Sequence, residues 1–330
     1  MKIQHSFLTN KKQKFLSICL LSLALFSCTQ PTDTKTVFSR PSSLPEKPTD
    51  VPKTSSHSTN PKVAPEPISS PTKEAESQSS ENANSDSKAS LWSNNFTNTN
   101  WMEEWGVKKR ASWGLKNIEV MDNSQSKFTK YLRVRYPAES ASPTVTRKNE
   151  APVGGAQFFA NLNMPPRDAL RLSYYVRFSN NFDFVKGGKL PGLFGGNMNT
   201  GGKIPDGTNG FSTRYMWRRN GDGEVYAYLP TSTEHGTSLG RGNWQFQPGN
   251  WHFIEQEVIL NQPGKNDGRI RVWFDGKQVL EQDELNFRTT NKLQIEGILF
   301  STFFGGGDSS WATPKDVYVD FANFSVSSVN

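Results

Sequence analysis

Over the second half of the chain, apolar and polar positions alternate with a period of two, and no window sustains the three- or four-residue spacing of an amphipathic helix. Leu170-Arg-Leu-Ser-Tyr-Tyr-Val-Arg-Phe178, Trp251-His-Phe-Ile-Glu-Gln-Glu-Val-Ile-Leu260, Gly268-Arg-Ile-Arg-Val-Trp-Phe274, Gln294-Ile-Glu-Gly-Ile-Leu-Phe-Ser-Thr-Phe303 and Asp316-Val-Tyr-Val-Asp-Phe-Ala-Asn-Phe-Ser-Val326 are rich in β-branched and aromatic residues and are bounded by Gly, Pro, Asn and Asp. Each reads as a strand. Between Phe274 and Lys277, Asp275-Gly276 predicts a two-residue hairpin, because a type I′ turn needs positive φ at both central positions. Many short strands from residue 91 to 330 predict an all-β domain, a jelly-roll sandwich of two sheets.

One predicted strand pair carries an unusual polar face. Gly210-Phe-Ser-Thr-Arg-Tyr-Met-Trp-Arg-Arg219 is followed by Glu224-Val-Tyr-Ala-Tyr-Leu229. At period two, Ser212, Arg214, Tyr226 and Tyr228 collect as polar groups on neighbouring strands, while Val225, Ala227 and Leu229 take the opposite face. For the arginine and the tyrosines to share a face, the hairpin loop must be odd in length. Gly221-Asp-Gly223 is the simplest choice and sets Arg218 opposite Tyr226 and Met216 opposite Tyr228. Upstream, Lys186-Gly-Gly-Lys-Leu-Pro-Gly192 reads as a glycine-rich loop that brings Lys189 close to a ligand.

The aromatic residues divide the chain. All nine Trp and all eight Tyr lie after residue 90, and no aromatic residue occurs from Ser39 to Leu91. That interval holds prolines from Pro41 to Pro71 among Ser, Thr, Lys and Glu, too little apolar surface to offset its ordering entropy. Residues 29–90 are therefore expected to form a disordered linker, leaving 91–330 as one domain long enough for a single substantial core.

Ahead of the linker, Lys2, Lys11, Lys12 and Lys14 precede an apolar run from Phe15 to Phe26, which has the length of a signal-peptide core rather than of a membrane span. Leu25-Phe-Ser-Cys28 resembles a bacterial lipobox, with Phe26 departing from the usual small or aliphatic residue. The expectation is a signal segment over 1–28, lipidation at Cys28 and an exported, membrane-anchored lipoprotein, with plain secretion as the alternative. Cys19 and Cys28 are the only cysteines, so residues 91–330 hold no disulfide, no thiolate nucleophile and no cysteine-ligated metal. The net charge of +7 is a mild basic bias that suits an anionic polymer and does not demand nucleic acid. Neither cofactor nor metal is expected, and a monomer is.

The polar cluster suits a carboxylated sugar. Eliminating across C4 and C5 of a uronate requires a cation on the carboxylate, a base at the C5 proton and an acid at the departing C4 oxygen. Arg214 fits the first task, since a guanidinium meets a carboxylate bidentately and stays charged. Lys189, Tyr226 and Tyr228 fit the other two, in an order the sequence leaves open. Neighbouring cations are expected to lower the pKa of the tyrosines and of Lys189.

Lys186-Gly-Gly-Lys-Leu-Pro-Gly-Leu-Phe-Gly-Gly196, Phe211-Ser-Thr-Arg-Tyr-Met-Trp217, Val225-Tyr-Ala-Tyr228, Gly240-Arg-Gly242, Gly249-Asn-Trp-His252, Val272-Trp-Phe-Asp-Gly276 and Phe303-Phe-Gly-Gly-Gly307 together resemble polysaccharide lyase family 14, over essentially all of residues 92–330. The resemblance implies a concanavalin-like jelly roll that cleaves an acidic polyuronate of alginate or glucuronan type by β-elimination. It places the family's catalytic lysine on Lys189 and its serine, arginine and paired tyrosines on Ser212, Arg214, Tyr226 and Tyr228. Lys186, Arg218, Trp217, His235 and Arg241 are further candidates for substrate contact.

Other chemistries are less well served. Neither Gly188-Lys189 nor Gly202-Lys203 is followed by Ser or Thr, so no P-loop is present. His252 opens a strand and reads as structural. A glycoside hydrolase would need two carboxylates across the sugar, and Glu255 and Glu257 share a strand face. A non-catalytic binding module would stack Trp217, Trp244 or Trp311 on sugar rings.

Overall fold

The computed structural model describes residues 89–109, 112–197 and 199–329. The signal segment, Cys28 and the linker up to residue 88 lie outside the described residues. Fourteen strands follow in order: β1 (Ser90–Asn94), β2 (Ile118–Asp122), β3 (Lys130–Tyr136), β4 (Ala156–Ala160), β5 (Ala169–Phe178), β6 (Gly187–Gly196), β7 (Gly210–Arg218), β8 (Gly223–Tyr228), β9 (Thr237–Leu239), β10 (Trp251–Ile259), β11 (Gly268–Phe274), β12 (Lys277–Leu285), β13 (Gly297–Phe304) and β14 (Val317–Ser327). Two short helices, α1 (Trp101–Glu104) and α2 (Pro143–Lys148), interrupt them.

The strands form two antiparallel sheets. The larger runs β12-β11-β10-β5-β14-β3-β2, with β1 added beside β14, and the smaller runs β4-β13-β6-β7-β8-β9. The all-β jelly-roll sandwich expected from the alternation is the fold. Each strand that reads apolar at period two turns that face inward: Leu170, Leu172, Tyr174, Val176 and Phe178 of β5 are buried, as are Phe211, Tyr215 and Trp217 of β7. Between the layers Trp217 meets the rings of Tyr136, Phe178, Phe182 and Phe304 at 5.3–6.4 Å. The Asp275-Gly276 turn has φ of 50° and 81°, as a type I′ turn requires, and joins Phe274 to Lys277.

Two polar bridges cross the core and fix the strands that matter for the site. Gln256 of β10 accepts from the Thr213 hydroxyl at 2.7 Å and donates to the Thr213 carbonyl at 2.8 Å, while Tyr174 of β5 donates to the Pro191 carbonyl at 2.9 Å. The second bond satisfies a backbone group freed where the β6–β7 register shifts between Leu190 and Gly192. β6 and β7 are thus held against the larger sheet directly beneath the residues that their outer face presents.

Two sequence expectations are corrected here. The glycine-rich stretch around Lys189 is not a loop but the interior of β6. Its glycines permit close packing: a Cβ on Gly188 would lie 2.1 Å from the Trp217 ring, and one on Gly192 would lie 2.2 Å from the Thr213 carbonyl oxygen. The β7–β8 turn is not Gly221–Gly223 but is centred on Asn220: beyond the last pair, Trp217 with Gly223, Arg218 N donates to Asp222 O at 2.7 Å and leaves Arg219, Asn220 and Gly221 at the tip. Asn220 and Gly221 both take positive φ there, and a Cβ on Gly221 would meet the Phe246 carbonyl at 2.3 Å, so the turn centred on Asn220 is the one that packs. The loop remains odd in length, and the shared face survives with a different register: Arg214 stands opposite Tyr226 and Ser212 opposite Tyr228.

Candidate active site

The outer face of the smaller sheet gathers even-numbered positions of β7 and β8 beside Lys189 of β6. Lys189 pairs with Met216, which pairs with Glu224, and in the next row Gly192 pairs with Arg214, which pairs with Tyr226. These rows floor a cleft of about 670 Å³ that Arg214, Lys189, Tyr226 and Tyr228 line together with Arg218 and His235. Its walls come from the start of α2, the Gly305–Gly307 turn and Trp311 on one side, and from Thr200 and Gly201 on the other. A concave, mixed polar and apolar trough of this kind suits an extended sugar chain.

Arg214 is 2% exposed, yet it reaches the cleft floor. Its Nη1 donates to Ser301 Oγ at 3.0 Å, Ser301 donates to Gln157 Oε1 at 2.9 Å, and Arg214 Nε has no hydrogen-bond partner. A guanidinium so desolvated and so incompletely paired is costly, and a substrate carboxylate would complete it. Burial draws its pKa down to about 10, which leaves it charged at neutral pH.

Lys189 is half-buried. Its Nζ lies 3.8 Å from the centre of the Tyr226 ring and 2.7 Å from Met216 Sδ, neither of which supplies a counter-charge in contact. Burial, then the charges of Arg214 and Arg218, push its pKa well below the ordinary lysine value, and Glu224 opposes them. The expectation for Lys189 therefore holds, with burial as the larger cause.

For Tyr226 the expectation is overturned. Burial and the adjacent Tyr228 raise its pKa to about 12, and the nearby Arg218 offsets this only in part. Tyr226 and Tyr228 meet edge to face at 5.7 Å, and the Tyr228 hydroxyl accepts from Gly202 N at 3.2 Å.

The remaining candidates scatter. Ser212 is buried beside the tyrosines and donates to Asn199 O at 3.3 Å, below the cleft lining. Arg218 lines the cleft and forms an ion pair with Glu224 at 2.6 Å. Lys186 is corrected too: it lies outside the cleft lining, in a neighbouring hollow with Arg219 and Asn220, bonded to the Ser310 hydroxyl and 5.9 Å from the ring of Trp311, which is the one of the tryptophans considered that faces the cleft. Trp217 and Trp244 are corrected to core residues, 0% and 4% exposed, because they point between the sheets. Arg241 is also corrected: it sits exposed on the turn after β9, away from the cleft lining.

The carboxylate pair considered for hydrolysis faces the other way. Glu257 pairs with Arg171 at 2.9 Å and Arg271 at 3.4 Å, and Glu255 with Arg171 at 3.6 Å, all on the outer face of the larger sheet. His252 is structural, as expected. Its Nε2 accepts from Gln247 N at 2.9 Å, and its Nδ1 contacts Asp275 Oδ2 at 2.8 Å.

Sequence reasoning missed Gln157, Ser301 and Glu224. Ser301 and Gln157 come from strands distant in sequence. Glu224 sat in plain view at an even position of the tyrosine strand, where alternation already placed it on the cleft side.

A model of the polysaccharide lyase 14 family matches residues 124–324. The chain belongs to that family. The resemblance first seen in scattered motifs is therefore one of descent across most of the domain, and this polysaccharide lyase 14 member is a carbon–oxygen lyase acting on polysaccharides. Among solved structures it is similar to a marine alginate lyase of the same family from Aplysia kurodai, with 33% identity and a TM-score of 0.64 over 73% of this chain and 100% of that one. It also shares its fold with an alginate lyase from Chlorella virus, at 23% identity and a TM-score of 0.60 over 72% of this chain and 100% of that one. No curated protein matches it in sequence.

Proposed function

We propose that this lyase cleaves an acidic polyuronate of alginate or glucuronan type by β-elimination in the cleft over β6, β7 and β8. The observation that carries the reading is the joint placement of a buried, under-paired Arg214 with Lys189 and Tyr226 on one face, a cation for the carboxylate beside two groups able to exchange protons. In this account Arg214 receives the C5 carboxylate and neutralises the charge that builds there as C5 loses its proton. Lys189, whose burial favours the neutral amine, takes that proton. The electron pair forms the C4–C5 double bond, the C4–O4 bond breaks, and O4 leaves with a proton from a phenol. Tyr226 suits that last role because its raised pKa keeps it protonated. Returning the proton from Lys189 to the phenolate restores the enzyme, and no water is consumed.

The likeness to alginate lyases supports the substrate class, as does the basic lining. Alginate and glucuronan, each incubated with the protein, should yield products with the ultraviolet absorbance of an unsaturated uronate. Oligosaccharides lacking that absorbance would sink the proposal. We also propose export and anchoring through Cys28, supported by the basic start, the short apolar run and Leu25-Phe-Ser-Cys28.

A further inference from the structure

Glu224 is 0% exposed, with one carboxylate oxygen bound by Arg218 and the other, Oε2, without a hydrogen-bond partner. A buried carboxylate half satisfied is expensive, and such a group persists only where its surroundings require it. It stands opposite Met216, whose other neighbour across the sheet is Lys189, so it lies two strands from the lysine on the same face. We propose that Glu224 is a positioning residue: it holds Arg218 along the cleft wall as a second receptor for sugar carboxylates and, by matching that guanidinium's charge, governs the protonation state in which Lys189 meets substrate. The assignment of a function to Lys189 rests on the lyase reading above, whereas the charge relation does not.

The charged and titratable groups around Lys189 are few. β7 contributes Arg214 and Arg218, β8 contributes Glu224, Tyr226 and Tyr228, the loop beyond β8 brings His235 to the cleft, and Lys186 stands upstream beside Trp311, outside the cleft lining. β13 offers only uncharged Phe303 at this level. Two arginines press Lys189 toward the neutral amine, and among the described residues Glu224 is the one carboxylate acting against them. Arg218 Nη2 meets Glu224 Oε1 at 2.6 Å and donates to the Ser238 hydroxyl at 3.5 Å, and its guanidinium lies 5.6 Å from the Tyr226 ring.

Three variants separate the possibilities through two readouts: the acid limb of kcat/KM against pH, and the pH midpoint at which a small amine-reactive reagent labels Lys189. Glu224→Gln should move both to lower pH, because an uncompensated Arg218 disfavours the ammonium form further. Glu224→Asp should keep both in place while lowering kcat/KM, since it keeps the charge and shortens the reach. Arg218→Met combined with Glu224→Gln removes both charges together, the tolerated way to delete a buried pair, and should return both readouts to the wild-type position with a raised KM. If Glu224→Gln fails to fold, the double variant still decides: midpoints displaced to higher pH would mean that only Arg218 acts on Lys189, and would overturn the proposal. Wild-type midpoints retained in Glu224→Gln would overturn it too. A wild-type protein that forms no unsaturated product refutes the lyase reading alone, since the labelling midpoints test Glu224 without turnover.

Discussion

Lys189 and Tyr226 meet across two strands, with the ammonium nitrogen 3.8 Å from the ring centre rather than on the phenol oxygen. The amine is thus stacked and desolvated with no counter-charge in contact, while the phenol hydroxyl bonds to Tyr228 and to the Gly236 backbone. On the proposed mechanism, that arrangement divides the base and the acid between two side chains that the sheet holds at fixed separation.

Lys189→Met should therefore separate stability from activity. Turnover should fall by about 10² or more, as expected for loss of one acid–base partner. Stability should rise, because burial disfavours the lysine's charge. The folded pKa lies below the unfolded one, so between the two the unfolded chain binds more protons and wild-type stability climbs with pH. The gain in Tm over wild type should accordingly be largest below the folded pKa and shrink as pH approaches the unfolded value. Thermal melts across pH check this, and a Tm lowered at every pH would contradict it.

Arg214→Lys should be nearly as damaging to kcat/KM as Arg214→Ala. A lysine keeps the charge but loses the fork that reaches both Ser301 and a carboxylate. Steady-state kinetics on both variants decides, and near-wild-type activity in Arg214→Lys would show that charge alone suffices.

Trp217→Ala should destabilise the domain by about 3–5 kcal/mol, the usual range for emptying a large aromatic from a core. Edge-to-face contact with Phe178, Phe182 and Phe304 is what it loses. Denaturant unfolding measures the effect. By contrast Arg241→Ala, out on its turn, should leave both stability and kcat/KM unchanged.

Much of this was legible in the chain. Alternation marked β5, β10, β11, β13 and β14 to within a few residues, and it put Arg214 with the tyrosines because side-chain parity depends only on whether the loop is odd. Trp217 shows the limit. It occupies an odd position on β7 and so had to oppose Arg214, yet a tryptophan beside a cationic cluster invited a sugar-stacking role that packing denies. β6 misled for a different reason: glycines that read as freedom in isolation are close-packing residues once Trp217 lies across them. Neither the Arg214–Ser301–Gln157 chain nor the half-paired state of Glu224 is local in sequence, so each waits on the sheet order.

The anchoring proposal has its own check. Cells producing the native protein should retain it in the membrane fraction, and a Cys28→Ser form should be released. Equal release of both would mark Leu25-Phe-Ser-Cys28 as the end of an ordinary signal segment.

The central claim is that the bond breaks by elimination at the Arg214, Lys189 and Tyr226 cluster, without water. Digestion of alginate or glucuronan in oxygen-18-labelled water, with mass spectrometry of the oligosaccharides, tests it most directly. The account predicts new non-reducing ends that are one water lighter than a hydrolysis product and no heavy oxygen fixed by the cleavage step. Saturated ends, with one heavy oxygen gained per bond cut, would contradict it.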